Sequence, residues 1–481
     1  MKGTIVQLRG KGAEDIHLTT EPEITFFKAV YKKHTNFSME NIEAPFNTQP
    51  KFGSTCFVRL LREGDLISKV YLQLELPYEE NSTAYWTNRI GFNIIKKVEV
   101  IIGNTIVERQ YGLWMYLWSE LTSTFDKHKI LNDMVGFTSR SGEKSIGLPA
   151  NQPNKLNIPL NFFFTKNYES ALPVCALKDQ EIIFKFYFED KNKCLQKGTI
   201  SGDIVDASLW IDHIFIEKNE ALSLVQNKQE YLIEVPQHHL KNISTDGDNN
   251  INIPFKLPCK EFVWVLKSNN SSEQNDKFTD FSNIDNVVNN TASFYQHYNY
   301  GGWKTELSEG EYNNTSLLEI NNRFNELSSI QPNGFKIILY TGNNFDGNSI
   351  EITKNNSGLT IYNDKIRSLK IINIKNSESI LNKIQFKIDS KNYFSTGFKN
   401  TSYFNNYLPY RYHNGYPNKG IFCYPFCLKP EKQEPSGILN LNNIKKFNLF
   451  INCKKSTLRF FSLSYNVLEI EDNMGSLKYK Y

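Results

Sequence analysis

Along most of the chain, apolar residues either alternate with polar ones or run together briefly between Gly, Asn, Asp and Pro. This is the pattern of half-buried and fully buried β-strands. In the first half the runs are "ITFFKAVY" (Ile24–Tyr31), "STCFVRLL" (Ser54–Leu61), "LISKVYLQLELP" (Leu66–Pro77), "FNIIKKVEVIIG" (Phe92–Gly103), "KLNIPLNFFF" (Lys155–Phe164), "QEIIFKFYFED" (Gln180–Asp190) and "ASLWIDHIFIE" (Ala207–Glu217). One stretch, Gly112–Leu131, has helical spacing instead, with Trp114, Leu117, Leu121 and Phe125 on one face. About eight strands in this span predict a jelly-roll sandwich, in which each of two sheets buries one face.

The second half repeats the pattern at Glu230–Leu240, Ile251–Lys267, Asn382–Phe394, Gly420–Leu428, Lys445–Cys453 and Thr457–Ile470. A second sandwich is therefore expected, giving an all-β protein of two consecutive eight-stranded jelly rolls. From about Asp285 to Lys375 the composition shifts to Asn, Gly and Ser, which reads as an insertion into the second roll. Inside it, "YQHYNYGGWKTEL" (Tyr295–Leu307) is echoed by "YTGNNFDGNSIEI" (Tyr340–Ile352). Tyr295, Tyr300 and Gly302 in the first copy align with Tyr340, Phe345 and Gly347 in the second.

Composition narrows the function. At 481 residues the chain exceeds a single core. Its 55 basic and 51 acidic residues leave a net charge of +4, so no global field favours a polyanion and no direct genome binding is expected. The N-terminus lacks the apolar core of a signal peptide, and no apolar run reaches the roughly 18–20 residues of a membrane span. A cytosol-like site of synthesis is expected. Cys56, Cys175, Cys194, Cys259, Cys423, Cys427 and Cys453 are odd in number and mostly lie in apolar runs, and they read as reduced, buried small hydrophobes.

Several blocks in order carry a resemblance: "EITFFKAVYKKHTNFSMENIEAPFN" (Glu23–Asn47), "REGDLISKVYLQLELP" (Arg62–Pro77), "LWSELT" (Leu117–Thr122), "LPANQPNKLNIPLNFFF" (Leu148–Phe164), "KFTDFSN" (Lys277–Asn283), "NYLPYRYHN" (Asn406–Asn414), "FCLKPEKQEPSGILNLNNI" (Phe426–Ile444) and "YNVLEIEDNMGSLKY" (Tyr465–Tyr479). Together they resemble the major capsid proteins of nucleocytoplasmic large DNA viruses. That resemblance implies a double jelly roll, a homotrimer with a pseudo-hexagonal outline, and an icosahedral virion shell over an inner membrane, assembled in the host cytoplasm. It also implies contacts with neighbouring capsomers and minor capsid proteins. The expected divisions are an N-terminal arm (1–23), a first roll (24–220), a second roll (221–285 and 379–481) and the insertion (286–378). Lys2, Arg9 and Lys11 of the arm suit contact with lipid heads or internal proteins, and a solvated tail is the alternative.

The insertion resembles a βγ-crystallin domain built from two Greek-key motifs. In that family the Gly takes a positive φ so that a hairpin folds over, and the aromatics pack on it. "FNELSS" (Phe324–Ser329) and "NDKIRS" (Asn363–Ser368) stand where the family carries its calcium motif. Phe324 replaces an oxygen donor in the first copy; in the second, Asn363 and Asp364 fit, but Arg367 brings a positive charge where an oxygen belongs. No cofactor is expected, and calcium at Asn363 and Asp364 stands against a purely stabilising corner. The insertion is expected on the outer capsomer face, where it would touch host glycans, decorate the particle or clamp capsomers. Trp303 is the candidate sugar-stacking residue, with a packed core Trp as the alternative.

No catalytic set emerges. "SGEKS" (Ser141–Ser145) lacks phosphate-loop spacing. His238 and His239 are adjacent, so a strand would point them apart. Cys423 and Cys427 share a strand face but lack two further zinc ligands, and core packing is the preferred reading. Glu306, Glu351 and Asp364 form no evident acid–base pair. The expectation is a structural shell protein rather than an enzyme, with a virion-surface recognition protein acting through the insertion as the alternative.

Overall fold

In a computed structural model, residues 3–480 are described except 11, 13–18, 26, 29–32, 138–146, 269–277, 280, 282–290, 309, 334, 374–379, 396, 398, 416 and 418–419. Lys2 and Lys11 of the arm, the "SGEKS" stretch and the predicted insertion boundaries at 286 and 378 lie outside the described residues.

The first roll has eight principal strands: Phe37–Pro45, Thr55–Arg59, Leu66–Leu76, Ile95–Ile102, Thr105–Gln110, Asn154–Pro159, Ile182–Phe188 and Asp206–Ile216. They form two antiparallel sheets, ordered first–eighth–third–sixth and second–seventh–fourth–fifth. Alternation dictates which side is inside. In Ile182–Phe188 the side chains of Ile182, Phe184, Phe186 and Phe188 are buried, while Ile183, Lys185 and Tyr187 are half-buried on the other face.

The second roll repeats this order strand for strand with Gln229–Ile243, Gly247–Asn252, Pro258–Ser268, Leu381–Ile388, Lys391–Asn392, Ile421–Pro425, Phe447–Cys453 and Ser456–Glu471. The fold is a double jelly roll. One continuous apolar core runs through both rolls. Six of the seven cysteines are buried, and Cys175 is half-buried.

Two expectations are corrected. The predicted helix is two helices, Gly112–Thr122 and Phe125–Val135, because Ser123 (ψ 129°) and Thr124 (ψ 156°) are extended between them. The break rotates Phe125 out of the apolar face that Trp114, Leu117 and Leu121 bury, leaving it 87% exposed. Second, Ile24–Tyr31 forms no strand among its described residues; Phe27 is 98% exposed, and pairing begins at Phe37. The helix Lys218–Gln226 joins the rolls and contains the expected 220/221 division.

The insertion lies between the third and fourth strands of the second roll and has its own apolar core. Its first sheet is Gly301–Leu307, Ala292–His297, Ser329–Gln331; its second is Gly310–Tyr312, Ser368–Asn373, Phe335–Tyr340, Ser349–Ile352. The two copies of the motif exchange backbone. Gly310–Tyr312 leaves the first copy to pair with Leu369–Ile371, and Asn356 of the second copy bridges back to Ile330. This exchange makes each half depend on the other, which is why the echo comes as a pair.

Candidate functional site

Chemistry concentrates in two places, the insertion and the seam between the rolls. In the insertion, Gly302 and Gly347 both have φ 76°, and the aromatics preceding them, Tyr300 (φ 64°) and Phe345 (φ 61°), are also left-handed. A Cβ on either glycine would meet a neighbour at 2.6 Å, Gln296 Cβ or Thr341 Oγ1 respectively. The rings then cross edge to face, Tyr295 on Tyr300 at 5.5 Å and Tyr340 on Phe345 at 6.0 Å.

A serine closes each turn. Ser329 Oγ accepts the Tyr300 amide at 3.1 Å and donates to His297 O at 2.6 Å. Ser368 Oγ accepts the Phe345 amide at 2.8 Å and donates to Gly342 O at 2.7 Å. Both serines end the six-residue calcium-like stretches, so these positions serve the hairpin itself.

The oxygen donors fare differently. Phe324 is buried and packs against Phe294 and Trp303. Asn363 Nδ2 donates to Asp364 Oδ2 at 2.6 Å, and Asp364 is itself left-handed at φ 57°. The Arg367 guanidinium donates to the carbonyls of Asp364 (3.3 Å) and Ile366 (3.0 Å). Trp303 is half-buried with its ring 5.7 Å from Phe324, packed on the insertion core rather than standing free. Glu306 pairs with Lys304, and Glu351 with Lys336 at 2.6 Å; with Asp364 they form no common cluster.

At the seam, the helix Gly112–Thr122 lies against the second roll. Trp114 packs on Phe461 at 5.4 Å, and His238 stacks on Phe461 at 4.5 Å with Tyr111 5.0 Å away. Burial, with Arg459 and His239 nearby, pushes the His238 imidazole down to about 3, so it is neutral. Among the described residues, His238 and His239 converge on no third ligand.

Two buried charge clusters cross or flank the seam. Glu234, in the first strand of the second roll, accepts from both Lys166 of the first roll and Lys260. Burial alone would raise the Glu234 carboxyl, but the two ammonium groups hold it below its usual value. Lys260 is the extra residue of a β-bulge in Pro258–Ser268 and is fully buried.

The second cluster is Glu261, His413 and Cys423, all buried, with their donor atoms mutually within 4.8 Å. Glu261 and Cys423 come from paired strands, with Glu261 opposite Pro425 and Cys423 opposite Val263. His413 ends the helix Leu408–Tyr412. Its Nε2 lies 2.8 Å from Glu261 Oε1 and its Nδ1 3.4 Å from Glu431 Oε1, while Trp118 of the first roll packs edge-on at 6.0 Å. Burial alone would depress the His413 imidazole; the Glu261 charge and the hydrogen bonds around it hold it well above its ordinary value. Just beyond, Gly415 N donates to Leu121 O at 2.7 Å, and any side chain there would collide with the backbone of Glu120 and Leu121.

Pairing Cys423 with Cys427 missed this cluster. The signal was "KE" at Lys260–Glu261 inside an otherwise apolar strand run, because charges buried in a sheet must find partners. The partners are distant in sequence and could not be named from it.

Residues 25–217 match the family described as "Major capsid protein N-terminus", and residues 220–476 match "Large eukaryotic DNA virus major capsid protein". The chain is 29% identical to the major capsid protein of Phaeocystis pouchetii virus, over 100% of both chains. It is 24% identical to that of Paramecium bursaria Chlorella virus 1, again over 100% of both. Among solved structures, a quasi-atomic model of the PBCV-1 virus capsid has a TM-score of 0.67 at 21% identity, covering 95% of this chain and 100% of that one. The chain therefore belongs to the major capsid protein family of large eukaryotic DNA viruses, the structural subunits of the virion shell.

Proposed function

We propose that three copies of this chain close into a pseudo-hexagonal capsomer and that these capsomers tile an icosahedral shell; the role is structural, not catalytic. The observation that carries the trimer is an asymmetry between the rolls. Within the chain, the aromatic helix Gly112–Thr122 after the fifth strand of the first roll packs through Trp114 on Phe461 of the last strand of the second, which pairs with the first strand, where residues 233–236 are buried. The matching outer surfaces are uncovered. The first strand of the first roll exposes Phe37 and Met39, and the helical turn after the fifth strand of the second exposes Tyr407 and Tyr410. Repeating the internal contact between copies is a heterologous contact that closes at three chains, because six rolls complete the turn. Light scattering at low protein concentration tests this: a mass of three chains supports it, and a well-folded monomer contradicts it.

We read the insertion as an appendage on the outer face that binds no calcium. Its connection leaves the same end of the second roll as the aromatic turn, since antiparallel strands put both connections there. Three extra domains on the opposite side would crowd the membrane, and Arg367 stands in the calcium position. In the arm, the helix Gly3–Arg9 exposes Ile5, Val6 and Leu8, an apolar stripe suited to the inner membrane or a minor capsid protein.

A further inference from the structure

We propose that Glu261, His413 and Cys423 bind one zinc ion, which staples the end of the Leu408–Tyr412 helix to the sheet beneath it at the seam. The donor set is one thiol, one imidazole and one carboxylate, all buried, from three separate segments and within 4.8 Å of one another. Thiolate and imidazole select zinc over calcium or magnesium, which take oxygen ligands. Glu261 Oε2 is buried and has no hydrogen-bond partner, so a bidentate carboxylate supplies the fourth position.

The surroundings are those of a metal-bound histidine. With Nε2 facing Glu261, His413 turns Nδ1 toward Glu431, 3.4 Å away. Nδ1 has no hydrogen bond at that distance; a carboxylate drawn onto it when metal binds would fix the tautomer that leaves Nε2 free to ligate. Glu431 is itself anchored by the Asn414 amide at 2.6 Å and is partly exposed, which gives the site an edge toward solvent.

Zinc would take Cys423 as thiolate and His413 through an unprotonated Nε2, so its uptake releases protons to solvent and weakens as the pH falls. Cys427, four residues on, lies outside the set and is the internal control.

The test is metal analysis of full-length protein produced with zinc, together with the absorption spectrum of the cobalt-substituted protein. About one zinc per chain is expected, with a sulfur-to-cobalt charge-transfer band that is lost in Cys423→Ser and retained in Cys427→Ser. Glu431→Gln should weaken zinc binding about 10- to 100-fold without abolishing it. If Cys423→Ser fails to fold, the stoichiometry and cobalt spectrum of the unmodified chain still decide. Folded wild-type protein without zinc, or with a cobalt spectrum lacking thiolate character, overturns the proposal and leaves a buried histidine–carboxylate ion pair.

Discussion

Ser368 holds Phe345 in place: the serine hydroxyl accepts the Phe345 amide at 2.8 Å while Phe345 sits in the left-handed region at φ 61°. Ser329 does the same for Tyr300 in the other copy, at 3.1 Å. A bulky residue at positive φ is strained, and the hydrogen bond compensates. Ser368→Ala should therefore destabilise the insertion by about 1–3 kcal/mol, because the Phe345 amide loses its partner. Hydrogen exchange should rise across Phe335–Asn373 and stay unchanged in the two rolls. Unchanged exchange in the insertion would show that the hydroxyl is dispensable.

Glu234 is shared by Lys166 and Lys260, one from each side of the seam. Glu234→Gln leaves the fully buried Lys260 ammonium and the half-buried Lys166 ammonium without a counter-charge. A loss of about 3–5 kcal/mol is expected, read as a lower midpoint in denaturant titration. A shift within error would mean that water already solvates the lysines.

His238 is buried neutral between Tyr111 and Phe461, with its pKa pushed down to about 3. Its ordinary value is near 6.5, so the unfolded chain binds a proton below that pH while the folded chain does not. The His238 contribution is complete above pH 6.5 and is lost as the pH falls toward 3, at up to about 1.4 kcal/mol per pH unit. His238→Phe should flatten that acid limb of the stability profile. Parallel wild-type and variant curves would place the proton elsewhere.

Tyr410 is 86% exposed, on the turn that corresponds to the buried Trp114–Trp118 helix of the first roll. Tyr410→Asp should weaken the trimer by at least about 2 kcal/mol per interface, the scale of an aromatic hot spot, while leaving the thermal midpoint of the isolated chain unchanged. Sedimentation across a dilution series checks it; an unaltered trimer would move the interface away from this turn.

Period-two alternation made strands such as Ile182–Phe188 legible, and their number in each half pointed to two jelly rolls. What stayed hidden depended on backbone breaks and distant partners. Ser123 and Thr124 carry no proline or glycine to announce the helix break that exposes Phe125. In the seam, Lys260 finds Glu234 across 26 residues and Glu261 finds His413 across 152, separations that local pattern cannot bridge. The paired aromatics and glycines of the insertion were legible because positive φ restricts residue choice. Their serine clamps were legible as a motif, but that motif alone could not separate a hydrogen-bonded corner from a calcium site.

The two rolls are expected to build the capsomer without the insertion. Light scattering coupled to size exclusion, on the full-length chain and on a variant with residues 286–378 replaced by a short Gly/Ser linker, is the deciding measurement. Trimers in both preparations are predicted, since Phe37, Met39, Tyr407 and Tyr410, the exposed residues proposed to meet between copies, lie on the rolls. A folded full-length monomer, or a trimer that dissociates when the insertion is removed, would contradict it.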